Sequence, residues 1–97
     1  MTFQLVYTEK FEKRAIRFLK QHPDVKQKYL KTLQLLELNP HHPSLRHRLR
    51  LRLHRLSGKL KKFHSASIDM FYRITLEFEI RDNMIILVDV GALDDVY

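Results

Sequence analysis

The period of hydrophobic and polar positions changes twice along the chain, from two to helical and back to two, and the changes divide it into strands and helices. Phe3–Tyr7 reads as a short strand, with Phe3, Leu5 and Tyr7 on one face. Thr8 then stands where a helix N-cap belongs, with Glu9 in the first turn after it. Phe11, Ala15, Phe18 and Leu19 recur at helical spacing, and Pro23 predicts a stop near His22, because a residue before proline avoids helical backbone. Pro23 also suits the first position of a second helix. Val25, Tyr29, Leu33 and Leu36 form the apolar stripe of that helix, and Asn39–Pro40 closes it.

Beyond Pro40 the period becomes two. Leu alternates with Arg over Leu49–Leu53, which predicts a strand with leucines inward and arginines outward. Ser57–Gly58 is a turn signal, and Lys59–Ile68 is a more polar strand candidate. Tyr72, Ile74, Leu76, Phe78 and Ile80 alternate with Arg73, Thr75, Glu77 and Glu79, and Arg81-Asp82-Asn83 supplies a hairpin turn. Met84–Val90 is nearly continuous apolar, as in a strand covered on both faces. The expected order is β-α-α-β-β-β-β. This is an α+β domain, with two N-terminal helices packed on one face of a mostly antiparallel four- to five-stranded sheet and the other face open.

Length and composition bound this picture without altering it. The 97 residues make one domain, 1–97, with two Gly, three Pro and no Cys. A disulfide scaffold, thiolate chemistry and cysteine zinc sites are thereby excluded, and a cytoplasmic protein is expected. No signal peptide is read at the N-terminus, and no apolar run is long enough to span a bilayer.

Charge changes the picture more. Residues 38–68 contain no Asp or Glu, yet hold Arg46, Arg48, Arg50, Arg52, Arg55, Lys59, Lys61 and Lys62, eight of the 18 basic residues. The remaining 10 basic residues face 11 acidic ones, so this segment carries the whole of the net charge of +7. Charge so concentrated is an electrostatic footprint for a polyphosphate. On a strand, alternate arginines lie about 6.5–7 Å apart, near the phosphate spacing of single-stranded nucleic acid, and each guanidinium offers phosphate a two-pronged donor. A solvated face serving solubility and an acidic protein partner are the competing explanations.

Histidines add chemistry to the charge. RNA cleavage by transesterification needs a base for the ribose 2′-OH, an acid for the leaving 5′-oxygen and a cation for the phosphorane. His54 and His64, on strands either side of Ser57–Gly58, are candidates for a shared open face beside Lys59, Lys61 and Arg73. His41 and His42 read as loop residues, and no metal site is expected from them. Tyr97 is a candidate for stacking on a base or donating a proton, or for packing on the sheet edge; Asp94 and Asp95 suit orienting a cation.

Several blocks carry a family resemblance: His54-Arg55-Leu56-Ser57-Gly58-Lys59-Leu60, Ser65-Ala66-Ser67-Ile68-Asp69, Tyr72-Arg73-Ile74 and Gly91-Ala92-Leu93-Asp94-Asp95-Val96-Tyr97. With Asn39-Pro40 and His42-Pro43-Ser44-Leu45, their order and spacing resemble the RelE/ParE toxin superfamily, in its YafQ-like and RelE/StbE-type branch. The resemblance covers essentially the whole chain. It implies the toxin of a type II toxin–antitoxin pair, as in plasmid stabilization systems. It implies a metal-independent, ribosome-dependent mRNA endoribonuclease, a hydrolase without cofactor held inactive by a cognate antitoxin. His54, Arg73 and Tyr97 match the family's functional positions. Leu93 stands where the branch usually carries a catalytic histidine, Ser67 stands where it carries another, and the Arg46–Arg52 stretch is longer than usual. Two alternatives follow from those departures: a ParE-like inhibitor of DNA gyrase that binds without catalysis, or a non-cleaving module that binds RNA or antitoxin.

Overall fold

The computed structural model describes residues 3–41, 44–58, 62–79 and 82–92. The elements run β1 (Gln4–Tyr7), α1 (Glu9–Gln21), a 3-10 turn (Pro23–Val25), α2 (Lys26–Leu38), α3 (Leu45–Leu51), β2 (His54–Arg55), β3 (His64–Ser67), β4 (Tyr72–Glu79) and β5 (Met84–Ala92). The five strands form one sheet in the order β1-β5-β4-β3-β2. Only the β1–β5 pair is parallel; the others are antiparallel, as expected for an α+β domain of this kind.

Local chemistry explains the helix boundaries. The Thr8 hydroxyl accepts the Phe11 N–H at 3.1 Å and donates to the Leu87 carbonyl at 2.7 Å, so one side chain both starts α1 and pins it to β5. Helix α1 ends before His22, whose N–H bonds the Phe18 carbonyl, and Pro23 opens the 3-10 turn. Phe11, Ala15 and Phe18 of α1 and Tyr29, Leu33, Leu35 and Leu36 of α2 are buried with Ile74, Leu76, Ile85, Leu87 and Val90 of the sheet. Each large side chain so buried contributes about 1.5–3 kcal/mol of hydrophobic stabilisation. The Thr32 hydroxyl sits within bonding distance of the Lys28 and Ser67 carbonyls, at 3.0 and 2.9 Å, and ties α2 to the end of β3.

The Leu/Arg alternation is a helix, not a strand. Leu51 is fully buried while Leu49 is 61% exposed, although a strand would put both on one face. Two positions along a helix differ by about 200°, and Leu and Arg are both strong helix formers, so a five-residue alternation fits either period. Packing against α2 and β3 decides for the helix. Arg52 then turns into left-handed backbone at φ 43° and ends it.

The sheet itself follows the predicted alternation with one irregularity. The partner of β4 jumps from Asp89 at Thr75 to Leu87 at Leu76, which leaves Val88 as an extra residue, a β-bulge. The last strand is not covered on both faces as expected. Ile85, Leu87 and Val90 are buried, whereas Met84, Ile86 and Val88 are half-buried. Nor is the face away from the helices bare, since Ser65, Ser67 and Thr75 are buried there. The strand expected over Lys59–Ile68 contracts to His64–Ser67; residues 59–61 and 80–81 lie outside the described residues. Asn83 takes a left-handed conformation in the β4–β5 turn, which Asn tolerates well. Among the described residues, no helix is long and apolar enough to cross a membrane.

Candidate nucleic-acid interface

Arg73 is the centre of a small constellation on the face away from the helices. Strand alternation sets Arg73 and Thr75 opposite to Ile74 and Leu76. Cross-strand pairing brings Ser67 beside Arg73, Ser65 beside Thr75 and His54 beside Ser65. The Arg73 guanidinium donates from Nε to the Ser65 hydroxyl, and from Nη2 to the Arg52 carbonyl at 2.9 Å and the Ser65 carbonyl at 3.3 Å. Nη2 also lies 3.3 Å from His54 Nδ1, which is itself 3.2 Å from the Arg52 carbonyl. The left-handed turn at Arg52 thus aims a carbonyl into the site and connects α3 to β4.

Those two contacts at Nδ1 correspond to two tautomers of His54. With the proton on Nδ1, the ring donates to the Arg52 carbonyl and presents the lone pair of Nε2, the form of a general base. With the proton on Nε2, Nδ1 accepts from Arg73 and Nε2 becomes a donor. The exposed ring at His54 is therefore held at Nδ1 in either tautomer.

Beside this constellation a cleft of about 270 Å³ is lined by Lys28, Arg50, Arg52, Ser67, Asp69 and Met70. Arg50 and Arg52 reach it from the end of α3, and Lys28 joins them from α2. Nothing in the sequence singles out Lys28, which lies in the second helix outside the acid-free segment. Its position one turn from Thr32, whose hydroxyl reaches Ser67, is the signal that only the packing reveals. The Asp69 carboxylate accepts the N–H groups of Phe71 and Tyr72 at 2.8 and 2.9 Å, and this tight turn leaves Met70 and Phe71 largely exposed.

The predicted site residues do not share one surface. His54 and Arg55 are consecutive in β2 and pair with Ser65 and His64 respectively, so they point to opposite faces. His64 lies on the helix-covered face, its ring 4.8 Å from Phe78 and edge-on to it, which corrects the expectation that His54 and His64 meet. Burial, then the positive charge of Arg55 and of the neighbouring His41 and His54, holds the His64 imidazole below its ordinary value of 6.5. Arg55, Lys62 and His64 line a second cleft, of about 490 Å³, with Phe3, His41 and Phe78. Arg46 is exposed on α3, one helical turn from Arg50. The side chain of Arg48, all of Lys59, Lys61 and His42, and residues 93–97 with Leu93, Asp94, Asp95 and Tyr97, lie outside the described residues.

Comparison with known proteins rests on structure. No protein-family model matches the chain, and no curated protein is similar to it by the same standard. Among solved structures, a chain of the Escherichia coli DinJ–YafQ toxin–antitoxin complex superposes with a TM-score of 0.77 at 16% identity, covering 100% of this chain and 99% of that one. The chain has the RelE/YafQ-type toxin fold. A metal-bound toxin from Helicobacter pylori superposes with a TM-score of 0.66 at 19% identity, over 100% of each chain. A chain of the RelBE2 toxin–antitoxin complex from Mycobacterium tuberculosis does so at 0.61 and 13% identity, over 95% and 99%. Within this RelE/YafQ-type fold, no three His, Asp or Glu side chains among the described residues gather as a metal site requires.

Proposed function

We propose that this chain is the toxin of a type II toxin–antitoxin pair, and that it cleaves mRNA on the ribosome from the face built around Arg73. The observation that supports this most is the join between Arg73, the Arg52 carbonyl and His54 Nδ1 on one exposed face, in a fold shared with the chains of two toxin–antitoxin complexes. In this reading Arg50, Arg52 and Lys28 hold the RNA backbone. His54 Nε2 takes the proton of the ribose 2′-OH, whose oxygen attacks the adjacent phosphorus. Arg73 stabilises the charge that develops on the phosphorane. The 5′-oxygen leaves with a proton, for which Tyr97 is the candidate donor, giving a 2′,3′-cyclic phosphate and a 5′-hydroxyl. Ribosome binding supplies alignment of the substrate, a contribution on the order of 7–11 kcal/mol where reacting groups are well positioned. The cognate antitoxin is the second partner.

A binding-only reading is favoured by one observation. Ser67, where the YafQ-like branch carries a histidine, gives its hydroxyl to the Asp69 carbonyl at 2.8 Å and serves the turn instead of a substrate. Leucine at Leu93 likewise moves no proton. Ribosomes programmed with defined mRNA separate the readings. Wild type is expected to cut in the A site, His54→Ala to cut about 10²–10⁴-fold more slowly, and Leu93→His to cut faster. An inert wild type made active by Leu93→His would instead identify a binding module descended from a nuclease. Inhibition of supercoiling by purified gyrase, with no RNA product, would point to the gyrase reading.

A further inference from the structure

The cleft on the helix-covered face has no part in the chemistry above, and its lining is unlike that of a packing defect. Four rings converge there. Phe78 is 5.3 Å from His41 at an interplanar angle of 33° and 4.8 Å from the edge of His64, and Phe3 closes the wall. Arg55 and Lys62 stand at the same cleft, and none of the described residues lining it is acidic. Its volume of about 490 Å³ falls in the usual range for sites that enclose a small ligand. The His64 ring forms part of the wall, edge-on to Phe78.

Flat rings beside cations suit a flat, polar-edged ring joined to an anion. Among the described residues the apolar part of the lining is aromatic, Phe3 and Phe78 with the two imidazoles, and Asn83 adds a polar amide. The location adds to the argument. Arg55 follows His54 directly along the edge strand β2, so the two faces are one residue apart at the sheet's rim. A single strand of RNA leaving the Arg73 face over that rim meets Arg55 and Lys62 next.

We infer that this cleft is a nucleotide subsite, in which a base of single-stranded RNA stacks among His41, Phe78 and His64 while its phosphate is held by Arg55 and Lys62. The strand passes over β2 between this subsite and the His54–Arg73 face. This inference rests on the proposal that the Arg73 face binds RNA, and the two are separable by experiment.

Side-chain NMR reads the two faces independently, with Phe78 and His41 reporting the cleft and His54 and Arg73 the other face. Labelled protein is titrated with adenosine 5′-monophosphate, with a single-stranded hexanucleotide RNA and with a hexa-aspartate peptide. The mononucleotide is expected to move the cleft signals and the hexanucleotide to move both sets. In His41→Ala, an exposed loop position, cleft binding of the mononucleotide weakens about tenfold, as loss of one stacking partner does, while the His54 and Arg73 shifts persist. A hexanucleotide that moves only His54 and Arg73 overturns the subsite and leaves the proposed function standing. Silence at both faces removes both ideas. Cleft shifts unchanged in His41→Ala overturn base stacking. Larger cleft shifts with hexa-aspartate than with nucleotide assign the cleft to an acidic polypeptide instead.

Discussion

Arg73 makes its hydrogen bonds through a fork that no other residue reproduces. Lysine keeps the charge but replaces two planar donor rows with a single ammonium point, so it cannot hold the Ser65 hydroxyl and the Arg52 carbonyl together. Arg73→Lys is therefore expected to weaken single-stranded RNA binding about tenfold, as read by fluorescence anisotropy. Unchanged affinity would show that the fork serves the fold alone. Titration at two other residues has definite signs. The neutral form of His64 is favoured in the folded protein, because its folded value is lowered by burial and by Arg55. The stability it contributes is complete above 6.5 and is lost as pH falls through that value and the lower folded one. Urea midpoints should therefore drop more steeply on acidification in wild type than in His64→Gln. Tyr29 is pushed up to about 12, by burial first and then by Tyr7. Its phenol favours the folded state below the ordinary 10.0, and that contribution is lost as pH rises from there to about 12. Ultraviolet titration is expected to show Tyr29 ionising late, and a Tyr29→Phe variant removes that late step.

At the scale of elements, α3 is the part the sequence misrepresents. A pair of substitutions tests its helical placement. Leu51→Ala removes a side chain with no exposed surface and is expected to cost about 2–5 kcal/mol, whereas Leu49→Ala lies within about 0.5 kcal/mol of wild type. Comparable losses in chemical denaturation would restore the strand reading. Most other elements were legible for physical reasons. Thr8 and Pro23 each act within a few residues of the chain, so the limits of α1 could be read directly. The alternation Tyr72–Phe78 is long enough to exclude a helical period. By contrast, Leu49–Leu53 is short and built from good helix formers, so tertiary packing chose its conformation. The candidate site was half legible for a related reason. His54 and Arg73 could be placed near one another by strand order. The role of the Arg52 carbonyl depends on a left-handed residue at the end of an unforeseen helix. His64 pairs with Leu76 and so faces the helices; adjacency of its strand to that of His54 brings the two close in order but does not put them on one face.

Across the whole molecule, the basic segment is divided by the sheet. Arg50 and Arg52 line the cleft beside the Arg73 constellation, and Arg55 and Lys62 line the cleft on the helix-covered face. Binding of RNA should release counterions from both. Each phosphate contact to a single strand contributes about −0.7 to the slope of log affinity against log salt. Arg55→Gln with Lys62→Gln is expected to make that slope shallower by up to about 1.4 for an RNA long enough to cross the rim. An RNA that reaches only the Arg73 face is too short to report the change. An unaltered slope with the long RNA would confine binding to the Arg73 face.

The bond from the Thr8 hydroxyl to the Leu87 carbonyl spans 79 residues of chain. It sits where the first strand docks beside the last, and where α1 lies over β5. A nascent chain cannot complete this join until β5 has been synthesised. The apolar face of α1 that β5 covers therefore stays open until that strand docks, so the join is made late in folding and only after a long loop has been closed.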